Sequence, residues 1–446
     1  MSEKSRDHHR GILNRRQFLK TSAVFAVPYV VPSSVLGADN AVAPSNRITV
    51  GCIGVGRMGR GDLREFLGFD EVHVVAVCDV DSKRCGDAKN MVEGWYASHA
   101  PSGGYAGCAT YGDFRELLAR DDIDVVSVVT PDHWHALPAI AAAKAGKDIF
   151  IQKPLTLTIE EGRLLSDTVQ RYNRVLQTGS QQRSDQRFRF ACELARNKRI
   201  GELTRVLVGF GTDPGCGIEP EMPVPENLDY DYWLGPAPVK PYTEKRVHPQ
   251  KDYDRPGWLR IRDYSGGMMT GWGSHHLDIA QWGMGRERSG PSEIVGQGEY
   301  PTEGLWDVHG AFHVEYTYDD GVTMVADDKN RGGVRFEGTE GWVWVTRGEI
   351  DAEPKSLLTT TLGPDEIHLY ESVDHKGNFI QCVKSRGETV APVEIAHRSC
   401  SACILGNIAM ETGRALKWDP AKERFVDDAE ADRLLTRPMR APWKLG

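Results

Sequence analysis

Short apolar runs alternate with helical patterns over the first third of the chain. Four of these runs predict buried strands, at residues 48–53, 73–78, 124–130 and 148–151. Helical patterns follow from about Met58, after Asp81 and over 136–145. This alternation predicts a doubly wound parallel sheet, and ligands of such sheets bind beyond the carboxyl ends of the strands.

The pattern changes after about residue 204. Strand-like runs at 205–210, 311–318, 323–327 and 341–346 occur without regular helices between them. This order predicts a mostly antiparallel sheet in a second domain of α+β type. We therefore predict a parallel-sheet domain at 47–170 and an α+β domain at 171–446.

A glycine-rich turn follows the first predicted strand directly. Gly54, Gly56 and Gly59 have the G-x-G-x-x-G spacing of a turn between a parallel strand and a helix. The first glycine permits the tight turn, the second lets the backbone approach a pyrophosphate, and the third allows close packing of strand and helix. The phosphates would lie on the first N–H groups of the helix, beside Arg57 and Met58.

An acidic residue supports this interpretation over an ordinary glycine-rich turn. Asp79 ends the second predicted strand, 20 residues beyond Gly59, where a carboxylate binds the ribose hydroxyls of NAD. Because a carboxylate repels a 2′-phosphate, the sequence predicts NAD, with NADP less favoured.

Two more loops should converge on the same crevice, since they follow the third and fourth strands. We expect cofactor contacts from these loops at Thr130, Pro131, His133, His135, Gln152 and Lys153. Pro154 keeps the chain extended at Lys153. Desolvation and a nearby nicotinium charge would lower the pKa of this lysine and let it exchange a proton with a substrate hydroxyl. The alternative is a surface lysine at a strand end.

A second group of polar side chains lies at 266–282. His275 falls in the first turn of a predicted helix, where the helix dipole keeps its imidazole neutral and able to accept a proton. His276 is either a substrate contact or a buried histidine. No histidine pair has recognisable ligand spacing, and Cys400 and Cys403 fit packed thiols, so we expect no metal.

The N-terminus has the pattern of an export signal. In residues 1–38, Arg15 and Arg16 precede a moderately apolar stretch and small residues, which is the order of a twin-arginine signal peptide. Residues 39–46 would be a linker. A disordered basic tail is the alternative. The formal net charge of −9 gives no general attraction to nucleic acid or to an anionic membrane.

Together these motifs resemble the glucose-fructose oxidoreductase, inositol dehydrogenase and MocA family (Gfo/Idh/MocA). The resemblance covers the glycine turn, Asp79, the sequence 152–154 in place of the usual Glu-Lys-Pro, the stretch 266–278 and the sequence 338–341. It implies an N-terminal Rossmann domain, and a C-terminal α+β domain whose large open sheet often forms the interface of a homodimer or homotetramer. It also implies NAD or NADP as the cofactor and a sugar, cyclitol or glycoside as the substrate.

The resemblance also assigns roles to residues. It implies proton transfer by Lys153 and His275, and contacts to substrate by Arg183, Tyr264, Trp272 and His276. One position departs from the family, because Gly271 stands where an aspartate is common, four residues before the histidine. Either Asp263 or Asp278 could take its place, or the dehydrogenase cycle is altered.

We therefore predict an exported NAD(P)-dependent oxidoreductase that acts on a secondary hydroxyl and holds its cofactor tightly. Two alternatives stay open. One is an NAD-dependent glycosidase or lyase that uses transient sugar oxidation and elimination. The other is a non-catalytic sugar-binding protein on a degenerate dehydrogenase fold.

Overall fold

The first sheet is parallel and has six strands. The computed structural model describes residues 46–99 and 107–445. The strands are β1 Ile48–Ile53, β2 Val72–Cys78, β3 Ala109–Tyr111, β4 Val125–Val128, β5 Asp148–Ile151 and β6 Leu176–Thr178. Their order is β3-β2-β1-β4-β5-β6. The predicted doubly wound sheet is confirmed, and it extends past residue 170 because β6 pairs with β5.

The helices of this part include those predicted from about Met58, after Asp81 and over 136–145, together with a short helix at Phe114–Leu118 that was not predicted. They are α1 Arg57–Leu67, α2 Ser82–His99, α3 Phe114–Leu118, α4 Ala136–Lys144 and α5 Ile159–Arg171. Helix α5 begins with a capping box, in which the Thr158 hydroxyl accepts a hydrogen bond from the Glu161 N–H at 3.3 Å. Strands β4 and β5 are buried on both faces, which explains their continuous apolar sequence.

The second sheet has nine strands. They are β7 Leu203–Gly209, β8 Glu293–Gly298, β9 Phe312–Thr317, β10 Thr323–Asp327, β11 Gly333–Gly338, β12 Trp342–Thr346, β13 Glu349–Glu353, β14 Leu416–Asp419 and β15 Arg424–Phe425. Their order is β13-β12-β11-β7-β10-β9-β8-β14-β15. The pairing of β7 with β10 is parallel, and the other strand pairs of this sheet are antiparallel. The predicted mostly antiparallel sheet is confirmed.

Helices cover one face of the second sheet. The remaining helices of the described chain are α6 Gln186–Arg196, α7 Tyr230–Leu234, α8 Gly267–Gly271, α9 Gly273–Met284, α10 His375–Ser385, α11 Val393–Thr412 and α12 Ala429–Asp432. Helices α6, α9 and α11 pack on the sheet. Along β9, Phe312, Val314 and Tyr316 are buried toward these helices, whereas His313 and Glu315 are exposed on the other face. This alternation is typical of a sheet with one covered face.

Late residues of the chain complete the core of the first sheet. Helix α10 brings Phe379 against Phe150, with ring centroids 5.8 Å apart. On the same helix, the Lys376 ammonium donates a hydrogen bond to the Asp62 carboxylate of α1 at 2.7 Å. Residues 48–445 therefore form one compact unit.

The predicted signal at 1–38 and nearly all of the linker at 39–46 lie outside the described residues. Within the described part of the chain, we find no helix that combines the length and the apolar character needed to cross a membrane.

Candidate active site

A cleft of about 620 Å³ opens at the carboxyl ends of β1, β4 and β5. Its floor comes from the parallel sheet and its walls come from the second half of the chain. Most of the residues predicted to contact cofactor or substrate line it: Gly54, Gly56, Arg57, Met58, Asp79, Thr130, Pro131, His135, Gln152, Lys153, Trp272 and His275. The cleft therefore joins the glycine turn to the two residues predicted to transfer protons.

The glycine turn has the shape that a dinucleotide needs. Gly54 has a φ of +82°, and a Cβ added there would lie 2.5 Å from the Val129 carbonyl oxygen. A Cβ on Gly59 would lie 2.1 Å from the Gly54 carbonyl oxygen. Gly59 therefore packs helix against strand and does not itself line the cleft. No side chain caps the start of α1 at Gly56, so its first N–H groups are available to an anion.

Asp79 is fixed beside this turn. Its carboxylate accepts hydrogen bonds from the Val55 N–H at 2.9 Å and from the Asp81 N–H at 3.0 Å. Burial raises the pKa of Asp79, and these two bonds oppose that shift. The carboxylate stands at the end of β2, which is the position from which it would bind ribose hydroxyls.

The segment 211–265 covers this end of the cleft. The Arg84 guanidinium of α2 donates a hydrogen bond to the Pro249 carbonyl oxygen at 2.7 Å, and His248 Nε2 lies 3.0 Å from the Asp81 carboxylate. Further along, Asp254 and Arg255 line the cleft. Contacts with helix α2 and with Asp81 just before it thus hold the segment in place.

Two histidines of the loop after β4 are held by backbone carbonyl oxygens. His135 joins two loops of the cleft, because Nδ1 lies 2.6 Å from the Pro154 carbonyl oxygen and Nε2 lies 2.9 Å from the Thr130 carbonyl oxygen. His133 is buried outside the cleft, with Nε2 3.0 Å from the Trp233 carbonyl oxygen. The expectation that His133 contacts the cofactor therefore does not match its position.

Lys153 reaches across the cleft. Its ammonium donates a hydrogen bond to the Gly271 carbonyl oxygen at 2.7 Å. Burial lowers the pKa of Lys153, and the negative charge of Asp132 opposes that shift. The preceding Gln152 donates a hydrogen bond to the Asp62 carboxylate at 2.9 Å. A glutamate at 152 would face this carboxylate, so the glutamine suits its surroundings.

Asp132 also lines the cleft, although it is not among the site residues predicted from the sequence. Its carboxylate accepts a hydrogen bond from the Ser265 hydroxyl at 2.8 Å, and its residue is 3% exposed. Burial raises the pKa of Asp132 to about 7. Its place after Pro131 in a crevice loop was the available signal, but its pairing with Ser265 depends on chain segments far apart in sequence.

His275 lies in the first turn of α9 and is buried against the cleft. Its Nδ1 makes no hydrogen bond to any described residue. Burial and the positive charge of Lys153 hold the pKa of His275 well below its usual value, so the ring is neutral near pH 7. His276 lies outside the cleft, stacked on Trp272 with ring centroids 5.6 Å apart.

Two of the expected substrate residues are held elsewhere. Arg183 donates hydrogen bonds to the Asp278 carboxylate at 2.7 and 2.9 Å, and both side chains are 2% exposed. Tyr264 is fully buried, with its ring 4.9 Å from that of Trp233. Neither lines the cleft. Because Asp278 is paired with Arg183, it is not available to replace the aspartate that is missing at position 271.

Gly271 faces open space. A Cβ added there would meet no heavy atom of the described chain within 4 Å. The position therefore has room for a side chain, and its backbone carbonyl holds Lys153. Asp263, the other candidate substitute, does not line the cleft.

Metal-binding groups are not evident in this part of the molecule. The described residues contain no group of three or more His, Cys, Asp or Glu side chains that could hold a metal ion. Cys400 and Cys403 are buried, and the Cys400 thiol donates to the Thr156 carbonyl oxygen at 3.3 Å. No disulfide forms among the nine cysteines.

The comparison with known families agrees with this geometry. Residues 48–180 match the NAD-binding Rossmann fold of the oxidoreductase family, and residues 215–445 match its C-terminal alpha/beta domain. The second match alone spans more than half of the chain. The chain belongs to the Gfo/Idh/MocA oxidoreductase family. The cofactor of its Rossmann domain is NAD, and the turn at Gly54, the uncapped start of α1 and the fixed Asp79 carboxylate fit this cofactor.

Members of the Gfo/Idh/MocA family and solved structures resemble this chain to different extents. A glycosyl hydrolase family 109 protein of Shewanella pealeana is 34% identical over 174 residues, which are 36% of this chain and 37% of that protein. An alpha-N-acetylgalactosaminidase of Shewanella oneidensis is 33% identical over 176 residues, with the same coverage. The match thus spans just over a third of these relatives. The WlbA dehydrogenase of Bordetella pertussis, solved with NADH and UDP-GlcNAcA, has the same fold, with a TM-score of 0.61 and 15% identity over 84% of this chain and 99% of that one.

The effect of Asp132 on Lys153 can be tested if Lys153 acts as the base in this protein. Replacing Asp132 by Asn removes the negative charge that raises the pKa of Lys153, so the lysine will lose its proton at lower pH. The acid limb of the pH profile of kcat/KM is therefore expected to move to lower pH. Asp254→Asn, at another cleft carboxylate, is the matched control. If the acid limb of Asp132→Asn stays where it is in the wild type, the charge of Asp132 does not influence the pKa of the catalytic base.

Proposed function

We propose that the protein is an NAD-dependent oxidoreductase that acts on a secondary hydroxyl of a sugar or cyclitol. The observation that carries the proposal is that one cleft contains the glycine turn, Asp79, Lys153 and His275. When bound, NAD supplies the reversible oxidation of a carbinol carbon. The chain's own residues bind the cofactor and substrate, orient them and move the proton.

The proton-transfer roles follow from the environments of two side chains. Lys153 Nζ, held by the Gly271 carbonyl, is a base for the substrate hydroxyl once it is neutral, and burial favours that neutral form. His275 is neutral because of its burial, and it offers a second proton acceptor in the same cleft. Residues that fix the substrate between them contribute by proximity and orientation.

A second candidate function is cleavage of a glycosidic bond. The matches to glycosyl hydrolase family 109 proteins favour it, as does the absence of the usual aspartate at Gly271. In such a cycle a transiently oxidised sugar carbon acidifies its neighbour, and His275 would take the proton from that neighbouring carbon. Elimination would then expel the leaving group and water would add to the double bond so formed. Return of the hydride to the oxidised carbon would leave no net oxidation.

One experiment separates these functions. The purified protein is incubated with a panel of free sugars, cyclitols and aryl glycosides, while nicotinamide absorbance and aglycone release are followed. We expect reduced nicotinamide to accumulate with free sugars if the protein is an oxidoreductase. Aglycone release without net reduction would instead support cleavage. No reaction in either assay, and no bound dinucleotide, would contradict both.

We also propose that the chain is exported by the twin-arginine route and carries its cofactor with it. The paired Arg15 and Arg16 support this proposal, as does the scarcity of exchangeable dinucleotide outside the cytoplasm, which favours tight binding. Replacing both arginines by lysine should leave the protein in the cytoplasm on cell fractionation. Unchanged fractionation would contradict the route.

We propose further that copies associate through the face of the second sheet opposite α6, α9 and α11, forming a homodimer or homotetramer. Val295, 41% exposed, lies on this face, and Arg205 pairs there with Glu337 at 2.7 Å. Exposed apolar area among paired charges suits a symmetric interface. Light scattering coupled to size exclusion measures the mass, and a monomer at micromolar concentration would contradict this.

A further inference from the structure

Arg347 stands at the tip of a tight hairpin on the edge of the second sheet. Thr346 of β12 pairs with Glu349 of β13, so residues 347 and 348 form a two-residue turn. Gly348 has a φ of +88°, which glycine adopts without strain. The turn is therefore well defined, and it carries Arg347 to the wall of the cleft.

The Arg347 guanidinium is oriented by an aromatic ring and leaves its donors available. Its central carbon lies 4.8 Å from the centre of the Trp272 ring. It forms no hydrogen bond or ion pair with the described residues. The charge of Asp185 acts on Arg347, but that carboxylate accepts the Arg187 N–H at 2.8 Å and pairs with the Arg187 guanidinium at 3.3 Å.

The other cations near the reacting end have partners. Arg255 pairs with Asp213 at 2.9 Å, and Lys153 donates to the Gly271 carbonyl oxygen. Arg57 also lines the cleft, but it belongs to the glycine turn, where a pyrophosphate would neutralise it. Arg347 thus differs from Arg255 and Lys153 in having no hydrogen-bond or ion-pair partner among the described residues, and from Arg57 in lying outside the glycine turn.

Arg347 lines the same cleft as the two residues predicted to act on the substrate. Its charge acts on both Lys153 and His275 and lowers the pKa of each. It therefore lies within electrostatic range of the two residues predicted to transfer protons. Trp272, which lies under its guanidinium, also lines the cleft.

We propose that Arg347 binds an anionic substituent, a carboxylate or a sulfate ester, on the sugar that enters this cleft. The proposal rests on the proposed function, since it names the class of sugar. A guanidinium presents two parallel N–H donors that match either anion, and stacking on Trp272 holds this fork in place. Two cleft carboxylates, Asp132 and Asp254, would repel an anion placed near them, so the anionic group is expected on the Arg347 side.

The test measures binding, which requires no turnover. Calorimetry on the NAD-containing protein compares glucuronate and galacturonate with glucose and galactose, and glucose 6-sulfate forms a separate arm. One class of anionic sugar is expected to bind about tenfold or more tightly than its neutral counterpart. The Arg347→Gln variant should lose this preference while its affinity for the neutral sugar changes less than about threefold.

A control variant distinguishes the charge from general effects on the sheet. Arg335 also stacks on a tryptophan of this sheet, Trp342, at 4.2 Å, but it lies outside the cleft. Arg335→Gln should keep the preference, and Arg347→Lys should keep part of it. Equal affinities for charged and neutral sugars in the wild type, or a preference that survives Arg347→Gln, would overturn the proposal. Either result would leave the oxidoreductase and cleavage assays to decide the proposed function independently.

Discussion

Replacing Lys153 by alanine is expected to lower kcat on the order of 10³-fold, while NAD stays bound. The ammonium of Lys153 contacts the Gly271 carbonyl in the cleft, and no other described residue places an amine there. Removing it therefore removes the proposed proton acceptor, whereas the glycine turn and Asp79 remain. Steady-state kinetics gives kcat, and the dinucleotide released on denaturation gives the cofactor content.

Two companion variants separate proton transfer from charge. Lys153→Arg keeps the positive charge but cannot release a proton near neutral pH, so it should be nearly as inactive as the alanine variant. Lys144→Ala removes an exposed lysine at the end of α4 and should leave kcat unchanged. Full activity in Lys153→Ala would remove Lys153 from the mechanism.

Replacing Gly54 by alanine is expected to abolish binding of the dinucleotide. The added Cβ would lie 2.5 Å from the Val129 carbonyl oxygen, and φ at this position is +82°. The turn must therefore shift, and with it the N–H groups at the start of α1 that would face the pyrophosphate. Equilibrium titration with NAD measures the loss, and circular dichroism reports whether the variant folds.

Gly61→Ala, on the helix that follows the turn, provides the matched control. A Cβ at Gly61 would meet no heavy atom of the described chain within 4 Å, so this variant should bind NAD as the wild type does. A Gly54→Ala protein that folds and still binds NAD with wild-type affinity would mean that the turn does not hold the pyrophosphate.

Features that depend on short sequence spacing could be predicted well. The strand at 48–53, the glycine turn and Asp79 lie within about one strand–helix–strand unit, and local periodicity determines them. The capping box at Thr158 is equally local. The second sheet was predicted as mostly antiparallel, but the parallel pairing of β7 with β10 joins strands more than 100 residues apart, and no local pattern encodes it.

The roles of individual polar side chains were harder to predict, because burial decides them. Arg183 was expected at the substrate, yet it is enclosed with Asp278 and stacks over Trp282 at 4.8 Å. His133 and Tyr264 are likewise buried outside the cleft. In contrast, Asp132 and Arg347 reach the cleft through contacts with Ser265 and Trp272, which come from distant parts of the chain.

The most direct test of this account is mass spectrometry of the nucleotide that leaves the purified protein on denaturation. If the cleft at the glycine turn binds NAD tightly, the released nucleotide will be NAD, in an amount that approaches one molecule per chain. A protein that releases no dinucleotide and also fails to bind added NAD would contradict NAD binding in this cleft.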